Sequence, residues 1–189
     1  MTTLLLGLAI FLGMHSISIV AHEWRDGMVQ RIGKYPWQAL YGLVSIVGFV
    51  LIVKGYGMAR LDPTVLYMPP AWLRHVSMLL LLPVFVLFLA PYLAGHIKRV
   101  MKHPQLVAVK LWAVAHLLAN GMLHDVVLFG AFLAWAVADR ISFKRRPMRE
   151  VPALPSSGIN DVILVVLGLG VYVAFVLWLH PVLIGVPVA

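Results

Sequence analysis

Two histidines stand inside apolar stretches where a hydrocarbon or protein-core environment should carry no ionisable side chain. His15 lies in "IFLGMHSISIV" and His116 in "WAVAHLLANGMLHD". A titratable group at membrane depth is costly and normally faces a bundle interior with a partner. Three partners suit a pair of imidazoles: a metal ion, a haem iron or a proton pathway. A neutral ring hydrogen-bonded to a backbone carbonyl or a serine is the structural alternative, and the residues alone leave it open.

The neighbours sharpen the question. Trp112, His116 and Asn120 recur at i, i+4 and i+8, one stripe of a helix. Asn120 either fixes the tautomer of His116, as groups around metal ligands do, or caps the segment and begins a turn. His15, Ser18 and His22 share a face at i, i+3 and i+7, an array able to pass protons. Lys110 either snorkels to the interface or pairs with a cofactor carboxylate. His124 and Asp125 read as a helix cap in water beyond the apolar segments, a gate or substrate contact being the sharper alternative. The other histidines, His22, His75, His96, His103 and His180, fall at segment ends or in loops.

The elements that must position these residues are membrane spans. The 189 residues are 62% hydrophobic and 12% charged, with a mean hydropathy of +0.95, against about half and a quarter in soluble domains. There is no cysteine, which excludes disulfides, thiolate zinc sites, thiolate haem ligation and covalent haem attachment. The formal charge of +8 fits orientation in an anionic membrane, and nucleic acid is not expected as a partner.

About 20 apolar residues cross a bilayer. Residues 2–22 make the first span, expected to be retained because no basic leader or small-residue cleavage pattern accompanies it. Trp37 to Val53 makes the second, Trp72 to Gly95 the third with a bend at Pro83, and Asp161 to Leu179 the last. The block from Pro104 to Ala138 is too long for one span and short for two. Asn120-Gly121 is a turn signal at its centre, which predicts helices over 104–119 and 122–140.

Charge decides the count. With six spans, Arg25, Arg31, Lys34, Lys98, Arg99, Lys102, Arg140, Lys144, Arg145, Arg146 and Arg149 all fall on odd loops. Only Lys54, Arg60, Arg74 and Lys110 fall elsewhere. The positive-inside rule then places both termini on the non-cytoplasmic side. The expected fold is an all-α, polytopic transmembrane helical bundle of about six spans, one domain over 1–189. The basic segment Ser142 to Gly158 is expected to be a loop, serving as a topology signal or meeting acidic headgroups.

Helical rise puts His15 about 10 Å and His116 about 18 Å from the cytoplasmic face. Boundary shifts of about 2–4 residues would bring them to one level.

These residues also carry a resemblance. "FLGMHS", "RDGMVQRIGKYPWQALYGLVSIVGFVLIVKGY", "PPAWLRH" and above all "KHPQLVAVKLWAVAHLLANGMLHDVVLFGAFLAWA" resemble the NnrU family of membrane proteins, in order along the whole chain. The resemblance implies a multi-pass protein of the bacterial inner membrane, associated with nitrite and nitric oxide metabolism. It also implies kinship with the plant 15-cis-ζ-carotene isomerase, which holds haem b through histidines and depends on the iron redox state. Its ligand histidines look like His15 and His116, making haem b between spans 1 and 4 the expected cofactor, with Trp112, Asn120 and Lys110 beside it. The lipid bilayer is the expected surrounding, and an apolar polyene or nitric oxide the implied ligand. Two histidines underdetermine a zinc site, which takes three or four protein ligands; a porphyrin supplies four nitrogens of its own.

Two other functions compete. One is a non-catalytic accessory or assembly factor for a respiratory, denitrification-linked enzyme, or a small transporter. The other is a membrane methyltransferase, since "KHPQL" resembles the "RHPxY" start of the isoprenylcysteine methyltransferases. The paired acidic residues of that group are missing, Arg149-Glu150 being the poor counterpart.

Overall fold

The computed structural model describes residues 1–149, 151–186 and 188 of the chain; Glu150 lies outside them. In chain order the helices are α1 (Thr2–Val20), α2 (His22–Ile32), α3 (Lys34–Ala59), α4 (Leu73–Leu81), α5 (Val84–Leu89), α6 (His96–Met101), α7 (Pro104–Ala119), α8 (Leu123–Ser142) and α9 (Gly158–Ala174). A π-helical turn, Phe175–Leu179, continues α9 into α10 (His180–Ile184). Apart from two isolated bridges, Val65 with Met122 and Leu93 with Leu154, the described residues form no β-structure.

Among the described residues, three helical runs are long and apolar enough to cross a membrane: α1, α3 and Gly158–Ile184. The break expected at Pro83 is present, since proline has no N–H to donate and α4 and α5 end and start on either side of it. The divided central block is also present. Pro104 opens α7 at its first position, where a missing N–H costs nothing. α8 runs for 20 residues with Asp125 in its first turn and Asp139-Arg140 near its end.

The chain forms two compact units: residues 1–68 with 121–147, and residues 69–120 with 148–189. In the first, α1 packs along α3, and both touch α8. Glycines let the two backbones meet. A Cβ at Gly7 would come within 2.5 Å of the Ile52 nitrogen, and one at Gly48 within 2.8 Å of the Phe11 nitrogen. Small residues at a helix crossing allow this approach. Gly48→Ala should therefore push α1 away at Phe11 and cost roughly 1–3 kcal/mol, read as a lowered thermal midpoint in detergent. An unchanged midpoint would show that the crossing is loose.

In the second unit, α5 packs on α7 and α9, and α4 on α7. Val84, Leu87 and Ala108 are buried together, with Leu111 and Trp112 against them. Val86, Ala90 and Leu164 form a second buried group. Polar side chains close the gaps. The buried Ser77 hydroxyl donates to the carbonyls of Leu73 (3.0 Å) and Ala115 (2.7 Å). Asn160 donates to the carbonyls of Ala94 and Pro155 at 2.8 and 2.9 Å. Asp161 accepts from the backbone N–H groups of His96 and Ile97 at 2.7 and 3.1 Å, tying the start of α6 to α9.

Candidate functional site

His15 belongs to the first unit and His116 to the second, and the two carry the same local construction. The Nδ1–H of His15 donates to the Phe11 carbonyl at 2.7 Å, and its ring stacks on the Phe11 ring at 4.2 Å. The Nδ1–H of His116 donates to the Trp112 carbonyl at 2.8 Å, with the Trp112 ring 5.3 Å away. Each carbonyl lies one turn back on the same helix. A carbonyl can only accept, so in both rings the proton sits on Nδ1 and the lone pair on Nε2. This is the orientation that metal-binding histidines receive from their surroundings.

Around His15 the first unit adds Tyr41, with ring centroids 5.1 Å apart, and Trp135 edge-on at 5.9 Å. The Trp135 indole N–H is buried and has no acceptor among the described residues. A cavity of about 290 Å³ opens beside these groups, lined by Met14, Ile17, Ser18, Arg25, Trp37, Gln38 and Tyr41. One turn beyond Trp135, Asp139 pairs with Arg146, and Arg146 Nε donates to the Ser142 hydroxyl at 2.8 Å.

The proton-passing array expected from His15, Ser18 and His22 is interrupted. α1 ends at Val20, and Ala21 leaves the helical conformation at φ −142° and ψ 46°. His22 then starts α2, so it does not continue the face of His15. Ser18 instead lines the cavity.

On α7, Trp112, His116 and Asn120 form the expected stripe. The Asn120 amide donates to the backbone carbonyl of His116 at 3.0 Å, and its own N–H reaches that oxygen at 2.8 Å. Asn120 therefore caps α7, and the Trp112 carbonyl fixes the tautomer of His116. Lys110 is half-buried in mid-helix. His103 stands immediately before Pro104 as the N-cap of α7, the junction its place in the sequence suggested.

The placement of His124 and Asp125 in water is corrected. Both are only 4% exposed. The Tyr56 hydroxyl donates to Asp125 Oδ1 at 2.6 Å, Met122 N–H donates to Oδ2 at 3.2 Å, and His124 Nε2 lies 3.6 Å from Oδ1. The Tyr56 ring meets the His124 ring edge-on at 5.1 Å. What covers them is the chain between α3 and α4. Leu66 and Tyr67 both donate to the Gly121 carbonyl, and Leu123 donates to the Thr64 carbonyl at 2.8 Å. The Tyr67 carbonyl lies where a side chain at residue 121 would begin, so only glycine fits. Burial, and then the Asp125 carboxylate nearby, push the Tyr67 phenol above its ordinary pKa.

Among the described residues, no group of three or more His, Cys, Asp or Glu side chains is placed to hold a metal ion. A site built from protein ligands alone is thus not formed there. No curated protein and no solved structure matches the chain. The NnrU protein family does: its profile matches residues 3–188, and the chain, with its long apolar helices and its back-bonded histidines, belongs to that family.

Proposed function

We propose that this chain is a multi-pass membrane protein that holds haem b with His15 and His116 as the iron ligands. One observation carries the reading. Each histidine donates Nδ1–H to the carbonyl four residues back, beside an aromatic ring, and so keeps the lone pair on Nε2. The same bond would satisfy a neutral core histidine; the resemblance, which implies kinship with a haem-holding isomerase and points to these two positions, favours ligation. The buried, unpaired indole N–H of Trp135 beside His15 supports it further, as a donor that a bound group could use. The donor set also favours a porphyrin, which takes one or two protein ligands, over a bare ion, which needs more.

An iron porphyrin held by His15 and His116 would supply a one-electron redox centre, its potential tuned by those imidazoles and the burial around them. The chain's own part is to hold each imidazole in one tautomer and to exclude water with Phe11, Tyr41, Trp112 and Trp135. The finer reading is a redox-dependent function in the bacterial inner membrane, acting on a polyene lipid by cis–trans isomerisation or linked to nitrite and nitric oxide chemistry. With it goes the six-span topology with both termini outside, in which α7, α8 and the α4–α5 pair also cross.

The test is the visible spectrum of the protein purified in detergent, oxidised and then reduced with dithionite. A Soret band that sharpens and shifts on reduction is expected. A featureless spectrum from folded protein, expressed with ample haem, would remove the ligand pairing and leave the accessory role in front.

A further inference from the structure

The cavity beside His15 has a lining that the histidine does not explain. Its polar groups are the Arg25 guanidinium, the Gln38 amide, the Tyr41 phenol and the Ser18 hydroxyl, and no carboxylate is among them. All four can donate hydrogen bonds. The remaining lining, Met14, Ile17 and Trp37, is apolar. Arg25 is held from two sides: its Nη1 donates to Asp26 at 2.8 Å, and its guanidinium lies 5.9 Å from the centre of the Trp37 ring. A guanidinium carries five N–H donors, so this bond leaves others for a ligand. Asp139, the carboxylate one turn beyond Trp135, is occupied by Arg146.

Position narrows the ligand class. Arg25 lies on α2, which carries Glu23, Arg25, Asp26 and Arg31 between the apolar α1 and α3. A polar helix joining two spans belongs at the membrane–water boundary, and the exposed Trp24 packed edge-on against Trp37 is typical of that level. Gln38 is exposed at the cavity mouth, and the exposed Arg31 and Lys34 precede it in sequence. Hydrogen-bond donors together with apolar groups, at that depth, match a phosphodiester with the first methylenes of its lipid.

We propose that this cavity binds the headgroup of an acidic phospholipid, with Arg25, Gln38 and Tyr41 donating to the phosphate and Met14, Ile17 and Trp37 covering the glycerol end. Tyr41 touches both this cavity and the His15 ring, so the lipid occupies the flank of the histidine. The assignment does not rest on haem.

The experiment is native mass spectrometry of the full chain, delipidated in neutral detergent and titrated with phosphatidylglycerol, phosphatidylcholine or inorganic phosphate. Phosphatidylglycerol should be retained about tenfold better than phosphatidylcholine, whose phosphate meets the same donors but brings a trimethylammonium beside Arg25 that no carboxylate of the lining receives. Arg25→Gln should remove that preference, and Arg31→Gln, an exposed change on the same helix, should leave it within about twofold. Gln38→Ala, at the exposed mouth, should weaken retention several-fold with an unchanged melting temperature, and it carries the test if Arg25→Gln misfolds. Equal retention of the two lipids, or a preference that survives both cavity variants, would overturn the site. Displacement of phosphatidylglycerol by millimolar inorganic phosphate would reassign it to a free oxyanion.

Discussion

Replacing His15 with alanine is expected to strip the purified protein of its Soret band, and replacing His116 to do the same, with helical content unchanged in both. Each imidazole is pinned through Nδ1 by a carbonyl of its own helix, so Nε2 points away from the backbone bond in a fixed tautomer. Because that bond lies within one helix, removing the ring takes away the proposed ligand and leaves the helix ladder intact. Added imidazole should restore part of the band in His15→Ala, which a purely structural histidine would not permit. Phe11→Ala should act indirectly. It takes away the ring on which His15 stacks, and losses of orienting groups cost about 10–100-fold in affinity. Retention of the full band in either histidine variant would end the two-ligand assignment. A band lost only together with far-UV helicity would mean that the histidines hold the fold.

The structure also explains which features were legible in the chain. The ends of α7 were, because both signals are local: Pro104 at the first position and Asn120 at the last are read within one turn of backbone. His15 and His116 were legible as anomalies, since an imidazole among leucines and valines violates composition. The stripe from His15 to His22 misled because the break at Ala21 carries no proline or glycine to announce it. The burial of His124-Asp125 was hidden for a different reason. Asn-Gly marks a turn, and turns are normally wet; here a second loop, 64–67, lies over the turn. Its partners are backbone groups, Gly121 accepting from Leu66 and Tyr67, and backbone pairing leaves little trace in side-chain identity. Tyr56, the side chain that completes the cluster, is 69 residues from Asp125 and reads in sequence as one more interfacial tyrosine. Ser77 was silent likewise, because a serine bonded to the Ala115 carbonyl looks in sequence like any small helix residue.

That buried cluster yields the other large effect, on stability. Asp125→Ala should leave the half-buried Tyr56 hydroxyl and Met122 N–H without their acceptor, which is itself only 4% exposed. Each orphaned donor costs about 1–3 kcal/mol, so about 2–6 kcal/mol in all is expected. For a chain of this size each kcal/mol moves the melting temperature by about 2–4 °C, giving a fall of roughly 4–24 °C. Asp125→Asn should cost much less. Its amide oxygen can still accept from Met122 N–H, and its NH2 can donate to the Tyr56 oxygen, which is able to accept. Tyr56→Phe falls between them, near 2 kcal/mol, since it leaves a buried carboxylate short of one charge-assisted bond. The order Asp125→Ala, Tyr56→Phe, Asp125→Asn is therefore the test, followed by thermal unfolding in one detergent at low and high salt. Buried partners are little screened, so the order should persist in both. If Asp125→Ala melts within a degree of the parent, or alongside Asp125→Asn, the cluster contributes no stability. Its buried carboxylate would then have to be explained by function alone.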